Sequence, residues 1–304
     1  MRRTVLITGA GGFVGSHMAQ GFAAMGDTVI ALDASFDDAT RARLADVKLV
    51  QASLNADVMA DDDAFDLVIH GAAITTPPED CSMHPQQHID ANVALLEDAL
   101  TLAIEHRAAD FVFISSSGDF SLEDGQDVQF ESTEPTAAIP YAAAKRAGEM
   151  LTDAANSAAM RTISIRLGPI YGPYEASRGT RKIVSQVRRW LDRVESDQPI
   201  LVQMPQERRD WTFAPDLPRA LGALLASQPK LSGVVHLTSA NIVTNLELAN
   251  LIAGLEQGAQ VCVTPSGEAA RLPIASDRVD LAALYAWTSL ASGLSATRNP
   301  EAAK

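Results

Sequence analysis

Residues 139–150 read "IPYAAAKRAGEM" and set Tyr141 four positions ahead of Lys145. On a helix, positions i and i+4 share a face, so a phenol and an ammonium can act together there. A free tyrosine ionises near pH 10; acting as a base near neutrality means lowering that value by about three units, roughly 4 kcal/mol. A lysine cation beside the phenol favours the phenolate and supplies part of the shift. Such a pair suits removal of a hydroxyl proton from a carbon that is being oxidised. Helices also produce the spacing by chance, with the tyrosine packed at a helix start and the lysine solvated. The pair therefore takes its meaning from the rest of the chain.

The first context is "TVLITGAGGFVGSH" (4–17), which places Gly9, Gly12 and Gly15 between a strand-like run and a helical one. Glycines there permit a tight turn and bring the start of a helix, at Phe13 and Val14, up to a pyrophosphate. The spacing G-x-x-G-x-x-G in this strand–turn–helix setting predicts a dinucleotide site. Asp33 closes the second strand, where a carboxylate grips an adenosine ribose and would repel a 2′-phosphate. No arginine follows directly, so NAD is expected over NADP.

The elements that must position these groups follow from hydrophobic patterning. Runs at 4–8, 28–33, 47–51, 66–70, 110–115 and 161–166 read as buried strands, their continuous apolar character suiting parallel strands covered on both faces. Helical spacing marks 16–26, 85–106 and 140–158. This alternation predicts an α/β fold: a Rossmann-type doubly wound parallel sheet with a smaller C-terminal substrate-binding cap. The expected NAD-binding domain is 1–166, rejoined by about 215–250 through a strand at 233–239. The expected cap is 167–214 with 251–304.

Composition narrows the function. The 304 residues carry a formal net charge of −14, with 47% hydrophobic and 20% charged residues. That charge argues against nucleic acid, whose binding relies on Lys and Arg; an anionic substrate would need its own local arginines. Cys81 and Cys262 lie far apart without a partner motif, which predicts reduced thiols in a cytoplasmic protein and no zinc site. His84 and His88 lack an acidic metal-site signature, and Pro85 between them reads as a helix start, so no metal is expected. The acidic 61–66 stretch reads as a solvated helix end and loop. No apolar stretch is long enough to span a bilayer, and the opening "MRR" running straight into a strand predicts no leader.

Taken in order, "TGAGGFVG", "HGAA" (70–73), Asn92 in "NVALLEDAL", "FISSS" (113–117), "YAAAK" (141–145), "RLGPIYGP" (166–173), "RDWTFAPDL" (209–217) and "SDRVDLAALYAW" (276–287) span nearly the whole chain. In these motifs the chain resembles the extended short-chain dehydrogenase/reductases, the NAD-dependent epimerase/dehydratase family. The resemblance implies that Gly71, Ala72 and Ala73 line the cofactor pocket, joined by Ser115 and Leu167. It implies that Ser53 and Leu54 flank the adenine, although the family usually has Asp where Ser53 stands. Asn92 would lie beneath the nicotinamide half, either touching the cofactor or satisfied by backbone. Lys145 would also hydrogen-bond the nicotinamide ribose. A serine would hold the substrate oxygen beside the phenol; the family's spacing points to Ser117, with Ser116 the competitor. Thr75, Ser117, Arg178 and Arg209 would face the substrate, with Arg181 a further candidate for an anionic group.

Three departures bear on the substrate. Pro169 stands where nucleotide-sugar members commonly carry Asn, and "MPQERRD" replaces a glycine-bearing turn. Ser117-Gly118-Asp119 stands where sugar 4,6-dehydratases have Thr-Asp-Glu, which disfavours that dehydration. The resemblance then implies an epimerase of a sugar or nucleotide sugar. The alternatives are an NAD-dependent dehydrogenase of a free sugar or sugar acid, and a non-catalytic NAD-sensing protein, which would be expected to lose Tyr141 or Lys145. It also implies a homodimer through the helices carrying Asn92 and Tyr141.

Overall fold

The computed structural model describes residues 2–59, 64–177, 182–266 and 270–300. The chain runs β1 (Thr4–Thr8), α1 (Phe13–Ala24), β2 (Thr28–Asp33), α2 (Asp38–Arg43), β3 (Lys48–Gln51) and β4 (Leu67–His70). It continues through α3 (Pro85–Glu105), β5 (Asp110–Ser116), α4 (Pro140–Ala154), β6 (Arg161–Leu167) and β7 (Ile170–Tyr171). Next come α5 (Gln186–Glu195), β8 (Ile200–Val202), β9 (Arg208–Asp210), β10 (Thr212–Phe213) and α6 (Leu217–Ala226). Last are β11 (Gly233–His236), β12 (Ile242–Thr244), α7 (Asn245–Ala253), β13 (Val261–Val263), α8 (Leu281–Leu284) and α9 (Leu290–Arg298).

Seven strands pair in parallel in the order β11-β6-β5-β4-β1-β2-β3. The winding reverses between β1 and β4, which opens a crevice at the carboxyl ends of those strands. Alternate residues of each strand enter opposite cores, which is why the strands read as unbroken apolar runs. Val5, Ile7, Ala31, Ile69, Val112 and Ile114 pack with Phe22 of α1 and Leu221 of α6. Leu6, Ile30, Leu32, Val68, Phe111 and Phe113 pack on the other face with Leu96 and Leu102 of α3.

Two local devices fix the helices that bear the candidate chemistry. His84 caps α3, accepting from the Gln86 N–H while its own N–H donates to the Gln87 side chain, and Pro85 takes the first helical position. Helix α4 likewise starts at Pro140. Gly148 lets α4 lie close to the sheet: a Cβ there would sit 2.6 Å from Phe113 Cζ.

A third core belongs to the remaining elements. Val187, Trp190 and Leu191 of α5, Ile200 and Val202 of β8, Leu248 and Ile252 of α7 and Leu294 of α9 bury one another there. The two-stranded pairs β7–β10, β9–β12 and β8–β13 join these segments. No helix among the described residues is long and apolar enough to cross a membrane.

Candidate active site

A cavity of about 570 Å³ opens at the carboxyl ends of the central strands, within the size range of cofactor sites. One wall is the glycine loop. Gly9 takes φ +70, and a Cβ there would lie 2.5 Å from the Ala72 amide, so the turn and the end of β4 can touch only through glycine. Gly12 caps α1, and Phe13, Val14 and Gly15 present the helix start to the cavity. The unsatisfied N–H groups of that turn favour an anion. Asp33 lines the same wall and is itself held by backbone: Oδ2 accepts from the Gly11 N–H (2.9 Å) and Oδ1 from the Ser35 N–H (3.0 Å).

Leu54, Gly71, Ala72, Ala73 and Thr75 continue the lining. Ser53 does not; it is exposed, and its carbonyl accepts from the Asn55 side chain (3.2 Å). Asn92 is also outside the lining, because its amide holds the strand exit in place. Its Oδ1 accepts from the Ile74 N–H (2.8 Å), and its Nδ2 donates to the His88 carbonyl (2.9 Å) and the Ile74 carbonyl (3.3 Å). Leu95, one turn further along α3, reaches the cavity instead.

The opposite wall carries Ser115, Ser116, Tyr141, Lys145 and Leu167. Lys145 is buried and donates to the Ile114 carbonyl (2.7 Å), with its ammonium 5.6 Å from the Tyr141 ring centre and 4.6 Å from that of Phe113. Burial pulls its pKa down to about 8, opposed by the negative charges of Asp119 and Glu149. Ser115 donates to Glu149 Oε1 (2.7 Å), and Ser116 Oγ accepts from the Gly118 N–H (3.0 Å). Ser117 is half-buried at the start of a short 3₁₀ turn, Ser117–Asp119, and does not line the cavity. His70, behind this wall at the end of β4, is held neutral: burial and then the Lys145 charge lower its pKa to about 3.

The segment that follows β6 closes the rim. Gly168, Pro169, Ile170 and Ala176 line the cavity, and the buried His17 of α1 donates through Nε2 to the Pro173 carbonyl (3.0 Å). Burial and the nearby Arg43 charge lower the His17 pKa to about 3, so the ring stays neutral. Behind Gly168 stands Asp210 of β9; a Cβ on Gly168 would meet its carboxylate at 2.0 Å. Arg209 precedes it, half-buried and outside the cavity lining, with Nη1 3.6 Å from Glu207 Oε1. Arg178 and Arg181 lie outside the described residues.

Two participants were not singled out from sequence. Gly11 orients Asp33, and its place in "GAGG" is the only local sign of that role. Arg271 donates its backbone N–H to Glu207 Oε1 (2.9 Å). Partial burial and the Arg209 charge both lower its pKa, opposed by Glu207, so the two guanidiniums stand close enough to repel.

Residues 5–235 match the NAD dependent epimerase/dehydratase family. The chain is 30% identical over 254 residues to UDP-glucuronate 4-epimerase 1 of Arabidopsis thaliana, a match covering 76% of this chain and 56% of that relative. It thus spans little more than half of that protein's length. In fold it is similar to an epimerase of Methanothermobacter thermautotrophicus, with a TM-score of 0.82, 24% identity and coverage of 98% of this chain and 91% of that one. It is similar also to UDP-glucuronic acid 4-epimerase from Bacillus cereus, solved with UDP-glucuronic acid and NAD: TM-score 0.78, 20% identity, 97% of this chain and 98% of that one.

Proposed function

Because the chain belongs to the NAD-dependent epimerase/dehydratase family, with NAD as its cofactor, we propose that it is a sugar-nucleotide epimerase whose proton-handling group is Tyr141. The observation that carries this reading is that Tyr141 and Lys145 line the same cavity as the glycine loop and Asp33. In it, the glycine loop, Asp33 and Leu54 would hold the adenosine and pyrophosphate, and Tyr141, Lys145 and Ser116 would face the nicotinamide half. The cofactor supplies the hydride acceptor when bound. The chain's part is the proton. Tyr141 takes it from the sugar hydroxyl and later returns it, the Lys145 cation favours the phenolate, and a strand-end serine holds the sugar oxygen. We assign that contact to Ser116 over Ser117, a choice supported by Ser116 lining the cavity.

A diphosphate would find positive charge at Arg209, 3.6 Å from Glu207, and at Arg271, whose charge feels both Arg209 and Glu207; both stand outside the cavity lining. Dehydration draws no support, because the Asp119 carboxyl is fully buried and outside the cavity lining. A homodimer through α3 and α4 belongs to the same reading; Ile104 and Met150 are exposed apolar residues on those helices.

The test is conversion of UDP-glucose or UDP-glucuronate followed by product stereochemistry and NADH absorbance together. An epimerase interconverts the 4-epimers with no net NADH; stoichiometric NADH release identifies a dehydrogenase instead. Tyr141→Phe is expected to lower turnover by about 100-fold or more while NAD stays bound, and unchanged turnover removes Tyr141 from the mechanism.

A further inference from the structure

Beneath Lys145 lies a buried ionic cluster that the proton transfer does not itself require. Arg166 of β6 commits Nε and Nη2 to Glu149 of α4, at 2.7 and 2.6 Å. Ser115 of β5 gives its single proton to Glu149 at 2.7 Å and lies 3.4 Å from Asp119 Oδ2. Asp119 is fully buried, its Oδ2 is 3.9 Å from Arg166 Nε, and its Oδ1 has no hydrogen-bond partner among the described residues. Arg146 of α4 donates to the backbone carbonyls of Ala137 (2.5 Å) and Asp119 (3.5 Å) and not to the Asp119 carboxyl. From β11, His236 approaches through Phe120 and is neutral, its pKa lowered to about 4 by burial and then by Arg166.

Among the described residues the Asp119 carboxyl thus has only long contacts, both on Oδ2, and none on Oδ1. An ionised Asp119 would be a buried charge with little compensation, whereas the neutral acid can give its own proton to Glu149. Burial and then the Glu149 charge push Asp119 up to about 8, against the pull of Arg166 and Lys145. Besides this cluster, Lys145 faces only Tyr141 and the neutral His70 among titratable groups described above.

We propose that Asp119 is a positioning residue that guards the charge of Lys145, sharing a proton with Glu149 at neutral pH and releasing it to solvent before Lys145 gives up its own. The inference rests on the Tyr141–Lys145 reading above. Its logic is electrostatic: of the two states with one proton lost, carboxylate beside ammonium is favoured over acid beside amine. The charge left on Asp119 then holds the lysine proton, and the phenol keeps its cationic neighbour to higher pH.

The test compares the NAD-loaded wild type with Asp119→Asn, which keeps the shape and a donor but cannot ionise. NMR of protein labelled at the lysine Cε follows Lys145 directly. In Asp119→Asn it is expected to neutralise about one pH unit lower, a tenfold change in the charged fraction; superimposable titrations overturn the proposal. Thermal unfolding gives a second readout. Between the ordinary carboxylate range and about 8 the unfolded chain is ionised at position 119 while the native one holds a proton, so wild-type stability falls as pH rises. The variant lacks that slope, and its Tm relative to wild type is expected to climb steadily from pH 5 to pH 8. A flat difference shows an ionised Asp119 and overturns the proposal; an Asn variant that does not fold overturns it too, because a neutral amide of the same shape should replace a neutral acid. Retained turnover in Tyr141→Phe would remove the catalytic reading without moving the Lys145 titration, so the two failures are distinguishable.

Discussion

The two walls of the cavity are built from different materials. The wall from Gly9 to Thr75 works through backbone: amides at the start of α1, a left-handed glycine, and a carboxylate held by two peptide N–H groups. The wall from Ile114 to Leu167 presents a buried side-chain charge, Lys145, and is backed by the charged cluster of Glu149, Arg166 and Asp119. A backbone wall is fixed by shape and barely responds to pH. A charged wall is fixed by proton occupancy, so its geometry and its electrostatics titrate together. The difference matches the proposed tasks: a pyrophosphate held on one side, a proton moved on the other.

Breaking the backbone wall should have the largest effect. Gly9→Ala places a Cβ against the Ala72 amide on a left-handed residue, and should cost about 3 kcal/mol or more, with NAD retention lost. Thermal unfolding with and without NAD measures both; a variant that keeps its Tm and its cofactor would show that this wall is not set by shape. Asp33→Ala is a smaller change in the same wall. It should weaken NAD about tenfold and relax discrimination against NADP, as equilibrium binding of the two cofactors would report. If NADP already binds wild type as well as NAD, the role given to Asp33 fails.

The smallest effect is a pH dependence of stability. His17, His70 and His236 are neutral in the fold, with pKa values lowered to about 3, 3 and 4 by burial. Below the ordinary histidine value the unfolded chain binds protons that the native one refuses. The stability they contribute is present above about pH 6.5 and is lost as pH falls toward 4, by roughly 1 kcal/mol per pH unit for each. His17→Gln should flatten the acid side of a Tm–pH curve by about that amount; an unchanged slope would mean that His17 is charged in the fold.

What could be read from sequence was whatever depends on near neighbours along the chain. The glycine loop, Asp33 and the Tyr141–Lys145 turn are each set within a strand–turn–helix or a single helical turn. The parallel sheet followed from apolar runs that the two opposite cores explain. Other features needed the third dimension. Alternation along β5 cannot rank Ser116 against Ser117, because the chain leaves the strand into a 3₁₀ turn at that point. Asn92 shows its partners only once Ile74 is folded back over α3. Arg271 meets Glu207 across 64 residues, and Arg166 meets Glu149 across 17, spacings that no helical or strand period encodes.

The bond from His17 to the Pro173 carbonyl has a kinetic meaning. It ties the rim segment that ends in Ala176 to the helix whose first turn forms the glycine wall. The mouth of the cavity is thus not two solvent-facing lips that part freely. Widening it breaks a contact in the interior, so a bound dinucleotide is expected to exchange slowly. A dinucleotide that leaves slowly is one that the proposed epimerase would reduce and reoxidise in place.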